Sequence, residues 1–171
     1  MKKLLLLPLL ITLSTTILAK TPESLFGVYI NDNVLDYVTQ KELKSKSRDY
    51  VRGFYGLILK NPPVSNKDFS DMLFVKFDKN NKIAEIKSQK KFQNSETCEK
   101  VEYGIRRTLE TKYNIEFVRN SRAKYGFQKL FIDNGISTQC KVFSDDDITL
   151  FISLETTEYY EKYKEYFNSQ I

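Results

Sequence analysis

Cys98 and Cys140 are the only cysteines of the 171-residue chain, and their number favours a disulfide bond. A redox-active pair would typically show a Cys-x-x-Cys spacing or a neighbouring histidine, and the chain has neither. Val101, Ile105 and Leu109 follow Cys98 at helical spacing, so Cys98 belongs to the apolar side of a helix. We predict that this helix packs on the strand that carries Cys140 and that the two sulfur atoms are bonded.

The strand around Cys140 is predicted from alternation. Ile136, Thr138 and Val142 fall on the same face as Cys140, because successive side chains of a strand point to opposite faces. Both cysteines then point to the inward side of their elements and can meet. A paired set of cysteines is typical of a chain that is exported to an oxidising compartment.

Hydrolysis by a serine and a lysine is a second chemistry that the residue types leave open. The chain has no histidine, which most often serves as general base at neutral pH, so a serine nucleophile would need a lysine as its base. Ser45-Lys46 and Ser65-x-Lys67 both lack the Ser-x-x-Lys spacing. A pair of carboxylates would need a separation in space that sequence does not show. No glycine-rich phosphate loop occurs, and we predict no catalytic residue and no cofactor.

Two acidic turns contain residues of the kind that bind metal ions. Asp78-Lys79-Asn80-Asn81 resembles the start of a calcium loop, but Ile83 and Gln89 stand where such a loop needs glycine and a carboxylate. We predict a hairpin turn there. Asp145, Asp146 and Asp147 could bind a hard cation only if other oxygen atoms converged on them, and a solvated turn is the simpler interpretation. We predict no metal site.

Two stretches that combine basic and aromatic residues, 41–55 and 119–129, could bind an anionic partner. The alternative is a solvated surface whose rings enter the core. The candidate contact residues are Lys44, Lys46, Arg48, Arg52, Arg119, Arg122, Lys124 and Tyr125.

Residues 1–19 have the order of a cleavable secretory signal peptide. Lys2 and Lys3 precede an apolar run from Leu4 to Leu13, and small or hydroxylic residues then lead to Ala19. An uncleaved anchor is the alternative, but a membrane-spanning helix needs about 20 predominantly apolar residues. Cleavage would lower the formal net charge from +5 to +3, which falls short of a dedicated nucleic-acid binder. We predict an exported protein, periplasmic or secreted, with one globular domain at 20–171.

The elements that would position these residues are predicted from periodicity and turn chemistry. An apolar strand at 72–77, the turn at Asp78 and a second strand at 82–92 predict a hairpin. A helix of about 95–113 begins at Asn94 or Ser95 and ends at Asn114, which tolerates the left-handed cap conformation. A strand at 148–154 and an amphipathic helix at 158–167 end the chain.

Strands in hairpin order with helices between them predict an α+β fold. We expect an antiparallel sheet of about five or six strands, with the helix of about 95–113 on one face. Short turns exclude a doubly wound parallel sheet, which needs helical crossovers.

Three functions are compatible with this sequence. The first hypothesis is an exported binding module, for example an inhibitor or immunity-type protein of the cell envelope, that uses an open sheet face or a basic aromatic loop. Its partner would be a protein or an anionic envelope component. The alternatives are a small envelope hydrolase that uses carboxylates or a Ser-Lys pair, and a structural component of the envelope.

Overall fold

The computed structural model describes residues 21–49, 51–65, 69, 72–119, 126–130, 134–144 and 147–170. The predicted signal peptide at 1–19 lies outside these residues. The strands are β1 (Ser24–Leu25), β2 (Val28–Tyr29), β3 (Ser47–Arg48), β4 (Phe54–Lys60), β5 (Met72–Asp78), β6 (Ile83–Phe92), β7 (Val118–Arg119), β8 (Gly126–Leu130), β9 (Asn134–Ser144) and β10 (Asp147–Thr156). The helices are α1 (Gln40–Leu43), α2 (Ser95–Tyr113) and α3 (Thr157–Asn168), and Val34–Asp36 forms a 3₁₀ turn.

Eight antiparallel strands form the main sheet in the order β3-β4-β5-β6-β10-β9-β8-β7. Two meanders, β3 to β6 and β7 to β10, meet where β6 pairs with β10. The predicted α+β class is confirmed. The sheet has more strands than the expected five or six, and its two edge strands, β3 and β7, are two residues long and too short to show a periodic pattern.

The bounds predicted for α2 are confirmed, and local side chains explain both ends. The Asn94 side chain accepts a hydrogen bond of 2.8 Å from the Thr97 N–H, as an N-cap should. Asn114 adopts φ 52° and ends the helix, and the Ile115 N–H then donates to the Glu110 carbonyl at 3.1 Å.

One face of the sheet is covered by the N-terminal segment and by α2, and we call it the covered face. Val28, Val34 and Leu43 pack there over the apolar side chains of β4, β5 and β6. Over β9 and β10, Val101 and Ile105 of α2 pack into the core. Apolar side chains occur at alternate positions of β4, β5 and β10 on this face, and burying such side chains accounts for most of the drive to fold.

A disulfide joins α2 to β9 on the covered face. Cys98 and Cys140 are buried, their sulfur atoms are bonded, and their Cα atoms lie 6.1 Å apart. Glu102, one turn further along α2, is also buried and contacts Thr138, the neighbour of Cys140 on that face of β9. Helix and strand are therefore held by a covalent bond and by a polar contact.

The predicted C-terminal helix is present as α3, but only part of its aromatic stripe is buried. Tyr159 is buried against Phe54, with ring centroids 5.0 Å apart in an edge-to-face arrangement, and Tyr163 packs beside them. Tyr166 and Phe167 remain exposed. Since α3 covers just one end of the second sheet face, the stripe continues past the sheet into solvent.

Three short segments differ from what their residue types favour. The apolar run at 25–30 is typical of one strand, but positive φ at Phe26 and Gly27 turns it into the small hairpin β1–β2. Ile115 to Val118 also favour a strand by composition, and of these residues Val118 takes part in pairing. Asn134 and Gly135 are typical turn residues, yet both pair with β10.

Candidate binding face

The predicted basic residues do not form one surface. Lys44 and Lys46 are exposed before and beside β3, whereas Arg119 is exposed on β7, at the opposite edge of the sheet. Arg52 is exposed in the turn before β4. The Arg48 side chain and the residues Arg122, Lys124 and Tyr125 lie outside what the structure describes.

At 41–55, the Tyr55 ring lies on the core side of β4. Tyr55 is half-buried and stacks on Phe77, with centroids 6.0 Å apart. The Lys46 ammonium lies 4.3 Å from the centroid of the Tyr55 ring. The lysine therefore covers the edge of the core at this point.

Among the residues that the structure describes, those of α3 cover one end of the second face of the sheet, and the rest of this face displays lysines among apolar side chains. Strand pairing aligns Lys87 of β6 with Phe74 of β5 and Ser153 of β10, so these side chains share this face. We define the lysine–aromatic face by the residues Ile58, Lys60, Met72, Phe74, Lys87, Lys91, Lys141, Phe143 and Phe151, which come from β4, β5, β6, β9 and β10.

The aromatic residues of this face are arranged by direct contacts. Phe143 and Phe151 meet edge to face, with centroids 6.3 Å apart and ring planes at 77°. The Lys87 ammonium lies 4.4 Å from the Phe151 centroid, and the Lys141 ammonium lies 4.6 Å from that of Phe143. Each ring thus has a cation over its π face, in a geometry that is favourable by about 0.5–1 kcal/mol at exposed sites.

Several apolar residues of the face remain exposed to solvent. The exposed fraction is 53% for Phe143, 50% for Ile58 and 41% for Met72. Scattered exposed apolar residues are ordinary, but several on one sheet face, interspersed with lysines, are typical of an interaction site.

The lysine–aromatic face is positively charged. Its four lysines are accompanied by carboxylates only at its ends, within the part of the chain that the structure describes. Asp147 pairs with Lys91 at 3.3 Å at one end, and Glu85 and Glu155 lie opposite each other near α3 at the other end. The face between them carries an excess of positive charge and favours an acidic partner.

A charged cluster lies beside the face, where β5 and β6 approach α3. Lys76 forms an ion pair with Asp49, whose side chain is fully buried. Glu85 stands opposite Lys76 in the strand pairing, and burial raises the pKa of its carboxyl group. The Asp49 carboxylate raises this pKa further, while Lys87 and Lys76 act in the opposite direction.

The residue types of a Ser-Lys pair meet beside this cluster. Ser45, Ser47 and Lys76 all line one cavity of about 440 Å³. A Ser-Lys pair needs a lysine that acts as base, and the Lys76 side chain forms an ion pair with Asp49. The arrangement is that of a structural ion pair with a neighbouring carboxyl group.

The acidic turns show no cation site in the described part of the chain. Oδ1 of Asp78 accepts hydrogen bonds from the N–H groups of Asn80 and Lys82, at 2.8 and 2.9 Å, so this carboxylate closes the predicted hairpin turn. Among the residues described, no three His, Cys, Asp or Glu side chains converge. Asp145 and Asp146 lie outside those residues.

Comparison with known proteins returned no relative: no protein-family model, no curated protein and no solved structure matches this chain. No helix in the ranges given above is long and apolar enough to cross a membrane.

Proposed function

We propose that this chain is an exported binding module whose lysine–aromatic face binds the acidic surface of a partner protein. One observation carries the proposal: in the described part of the chain, α3 covers only one end of the face that five adjacent strands form, and the rest of that face presents Phe143 and Phe151 in contact, with Lys87 and Lys141 over their rings.

The composition of the face suits a protein partner. Apolar residues surrounded by charged side chains are the usual anatomy of a protein interface, in which the apolar centre supplies affinity and the charged rim supplies specificity and rate. Burying the exposed half of Phe143 on binding would contribute about 2 kcal/mol. The apolar residues lie along a sheet face instead of at the tip of a loop, so they match a broad surface better than they would insert into a lipid bilayer.

Export is proposed from two features of the chain. The order of residues 1–19 is that of a signal peptide, and Cys98 and Cys140 are positioned for a disulfide, which persists in an oxidising compartment. The partner is accordingly expected in the cell envelope or outside the cell.

The proposal is tested by capture from an envelope extract with immobilised residues 20–171. The double variant Lys87→Glu/Lys141→Glu reverses the charge at the centre of the face. A matched control, Lys79→Glu/Lys100→Glu, changes the net charge equally at exposed positions in the β5–β6 turn and on α2. We expect the wild type and the control to retain the same acidic protein, and the face variant to lose it.

Two results would overturn the proposal. Equal capture by both double variants would show that the face is not the contact surface. Sedimentation of the wild type with phosphatidylglycerol vesicles, abolished by Lys87→Glu/Lys141→Glu without any captured protein, would identify a lipid surface as the partner instead.

A further inference from the structure

The edge of β4 is incompletely paired. β3 pairs only with Tyr55 and Gly56, at the start of β4. Among the residues that the structure describes, the remainder of this edge, 57–60, has no strand beside it. An unpaired edge exposes backbone donors and acceptors that can pair with another chain.

The exposed backbone groups belong to Ile58 and Lys60. The Asp49 N–H donates to the Phe54 carbonyl at 3.0 Å, and the Phe54 N–H donates to the Val51 carbonyl at 3.2 Å. Backbone groups of Phe54 therefore point away from β5. Because this direction alternates along a strand, the N–H and C=O groups of Ile58 and Lys60 point to the same outer side.

This part of the β4 edge stays unpaired because the segment between α1 and β3 turns away from it. The N–H of Ser45 donates to the Glu42 carbonyl at 2.9 Å, and the N–H of Lys46 donates to the Leu43 carbonyl at 3.2 Å. These bonds keep the chain in a compact turn after α1, so β3 starts only at Ser47. The result is the cavity of about 440 Å³, which Ser45, Ser47, Ile58 and Lys60 help to line.

We propose that an extended, acidic segment of the partner adds as a short strand beside Ile58–Lys60, next to the part of the β4 edge that β3 does not pair with. This inference rests on the proposed function and specifies how the partner docks. Main-chain hydrogen bonds would give affinity, as in other cases of strand addition. A carboxylate of the segment would pair with the exposed Lys60, which also belongs to the lysine–aromatic face.

The chemistry of the edge favours an acidic segment over a second copy of this chain. Two copies of β4 paired antiparallel about Leu59 would set each Lys60 opposite Ile58 of the other copy. The two Lys60 side chains would then be diagonal neighbours on one face, within reach of each other, and their like charges would repel. The strand ends after Lys60, because Asn61 adopts φ 56° and Pro62 follows it. The added segment therefore pairs over only a few residues.

Whether the edge of β4 accepts an added strand can be tested without the natural partner. Ser169, near the end of α3, and Gly53, just before β4, line the same groove. From Gly53 to Ile58 the strand spans roughly 17 Å, which a Gly-Ser linker of about 12 residues can bridge. The test fuses Glu-Val-Glu-Val-Glu through this linker to residue 171, with Glu-Gly-Glu-Gly-Glu as the matched control.

Hydrogen exchange of the Ile58 and Lys60 amides is the readout. We expect both amides to exchange at least about tenfold more slowly in the Glu-Val fusion than in the control fusion. Equal exchange in the two fusions would overturn the inference. A concentration-dependent dimer of the unfused protein in which these amides are protected would also overturn it in favour of self-pairing.

Partner binding separates this inference from the proposed function. Ile58→Pro removes an N–H that does not bond to β5, and Ile58→Thr removes the same side chain while keeping that N–H. Given equal melting temperatures, we expect capture to fall at least about tenfold with proline and little with threonine. If the Ile58→Pro variant captured as much partner as the wild type, strand addition would be refuted. If, at the same time, Lys87→Glu/Lys141→Glu lost capture, the proposed function would still stand.

Discussion

Thr138 of β9 donates a hydrogen bond of 2.5 Å to the carboxylate of Glu102, a buried residue of α2. The same carboxylate oxygen accepts from Nε of Arg106 at 3.3 Å. A buried carboxylate is tolerated only when its hydrogen-bonding capacity is satisfied. This contact therefore fixes the position of α2 on the sheet, close to the disulfide.

Thr138→Val is expected to destabilise the fold by about 1–3 kcal/mol, because it leaves a buried carboxylate without one of its donors. The measurement is the free energy of unfolding in urea. Thr108→Val is the control, since the Thr108 hydroxyl only bonds to the Gly104 carbonyl on the exposed side of α2. Equal losses for the two variants would show that the Glu102 contact has no particular importance.

Removal of the disulfide should lower stability by about 4 kcal/mol in the chain-entropy treatment, because Cys98 and Cys140 enclose a long loop. The separation along the chain is 42 residues. We expect this loss in the double variant Cys98→Ala/Cys140→Ala, measured by urea unfolding, and a similar loss for the wild type in reducing agent. Intact mass should show that the oxidised protein lacks two hydrogens, and a free dithiol in envelope-derived material would contradict the proposed export.

Local signals explain which parts of the fold could be predicted. The ends of α2 are set by Asn94 and Asn114, and the β5–β6 turn by Asp78, and each acts within a few residues of its own position. The lysine–aromatic face could not be predicted in the same way. Lys87 and Phe151 lie on strands from different meanders and meet only because β6 pairs with β10. Alternation within each strand was visible, but the order of strands in the sheet was not.

The unpaired edge of β4 illustrates the same limit. The apolar residues between 50 and 59 favour a strand, and β4 occupies Phe54–Lys60. Which part of its edge stays open depends on where β3 begins, and this depends on hydrogen bonds of the turn after α1. Such tertiary detail leaves no periodic signal in the residues of β4 itself.

Glu85→Gln is expected to stabilise the protein at neutral pH. Burial raises the pKa of the Glu85 carboxyl above its ordinary value of 4.5, so the folded state holds a proton that the unfolded state releases. Stability from this group is therefore fully present below pH 4.5 and is lost as the pH rises through the folded-state pKa.

Urea unfolding at acidic and neutral pH checks this sign. The wild type should lose more stability than Glu85→Gln between the two conditions, and the exposed control Glu116→Gln should follow the wild type. If Glu85→Gln were less stable than the wild type at neutral pH, the ionised carboxylate would be stabilising the cluster around Lys76, contrary to the expected direction.

Phe143→Ala should separate binding from folding on the lysine–aromatic face. The Phe143 ring is half exposed, so its loss should change the free energy of unfolding by less than about 1 kcal/mol, whereas Phe77→Ala removes a fully buried ring and should cost about 3–5 kcal/mol.

Phe143→Ala also removes the edge partner of Phe151 and the ring beneath Lys141, which together form the centre of the proposed contact. Truncating an aromatic hot-spot residue costs roughly 2 kcal/mol or more of binding free energy. We therefore expect the captured partner to bind the variant at least about tenfold more weakly. Calorimetric titration of the partner into the wild type and the variant measures this change. Undiminished affinity in a variant of unchanged stability would place the contact elsewhere, and the exposed Phe143 would then be an ordinary surface residue.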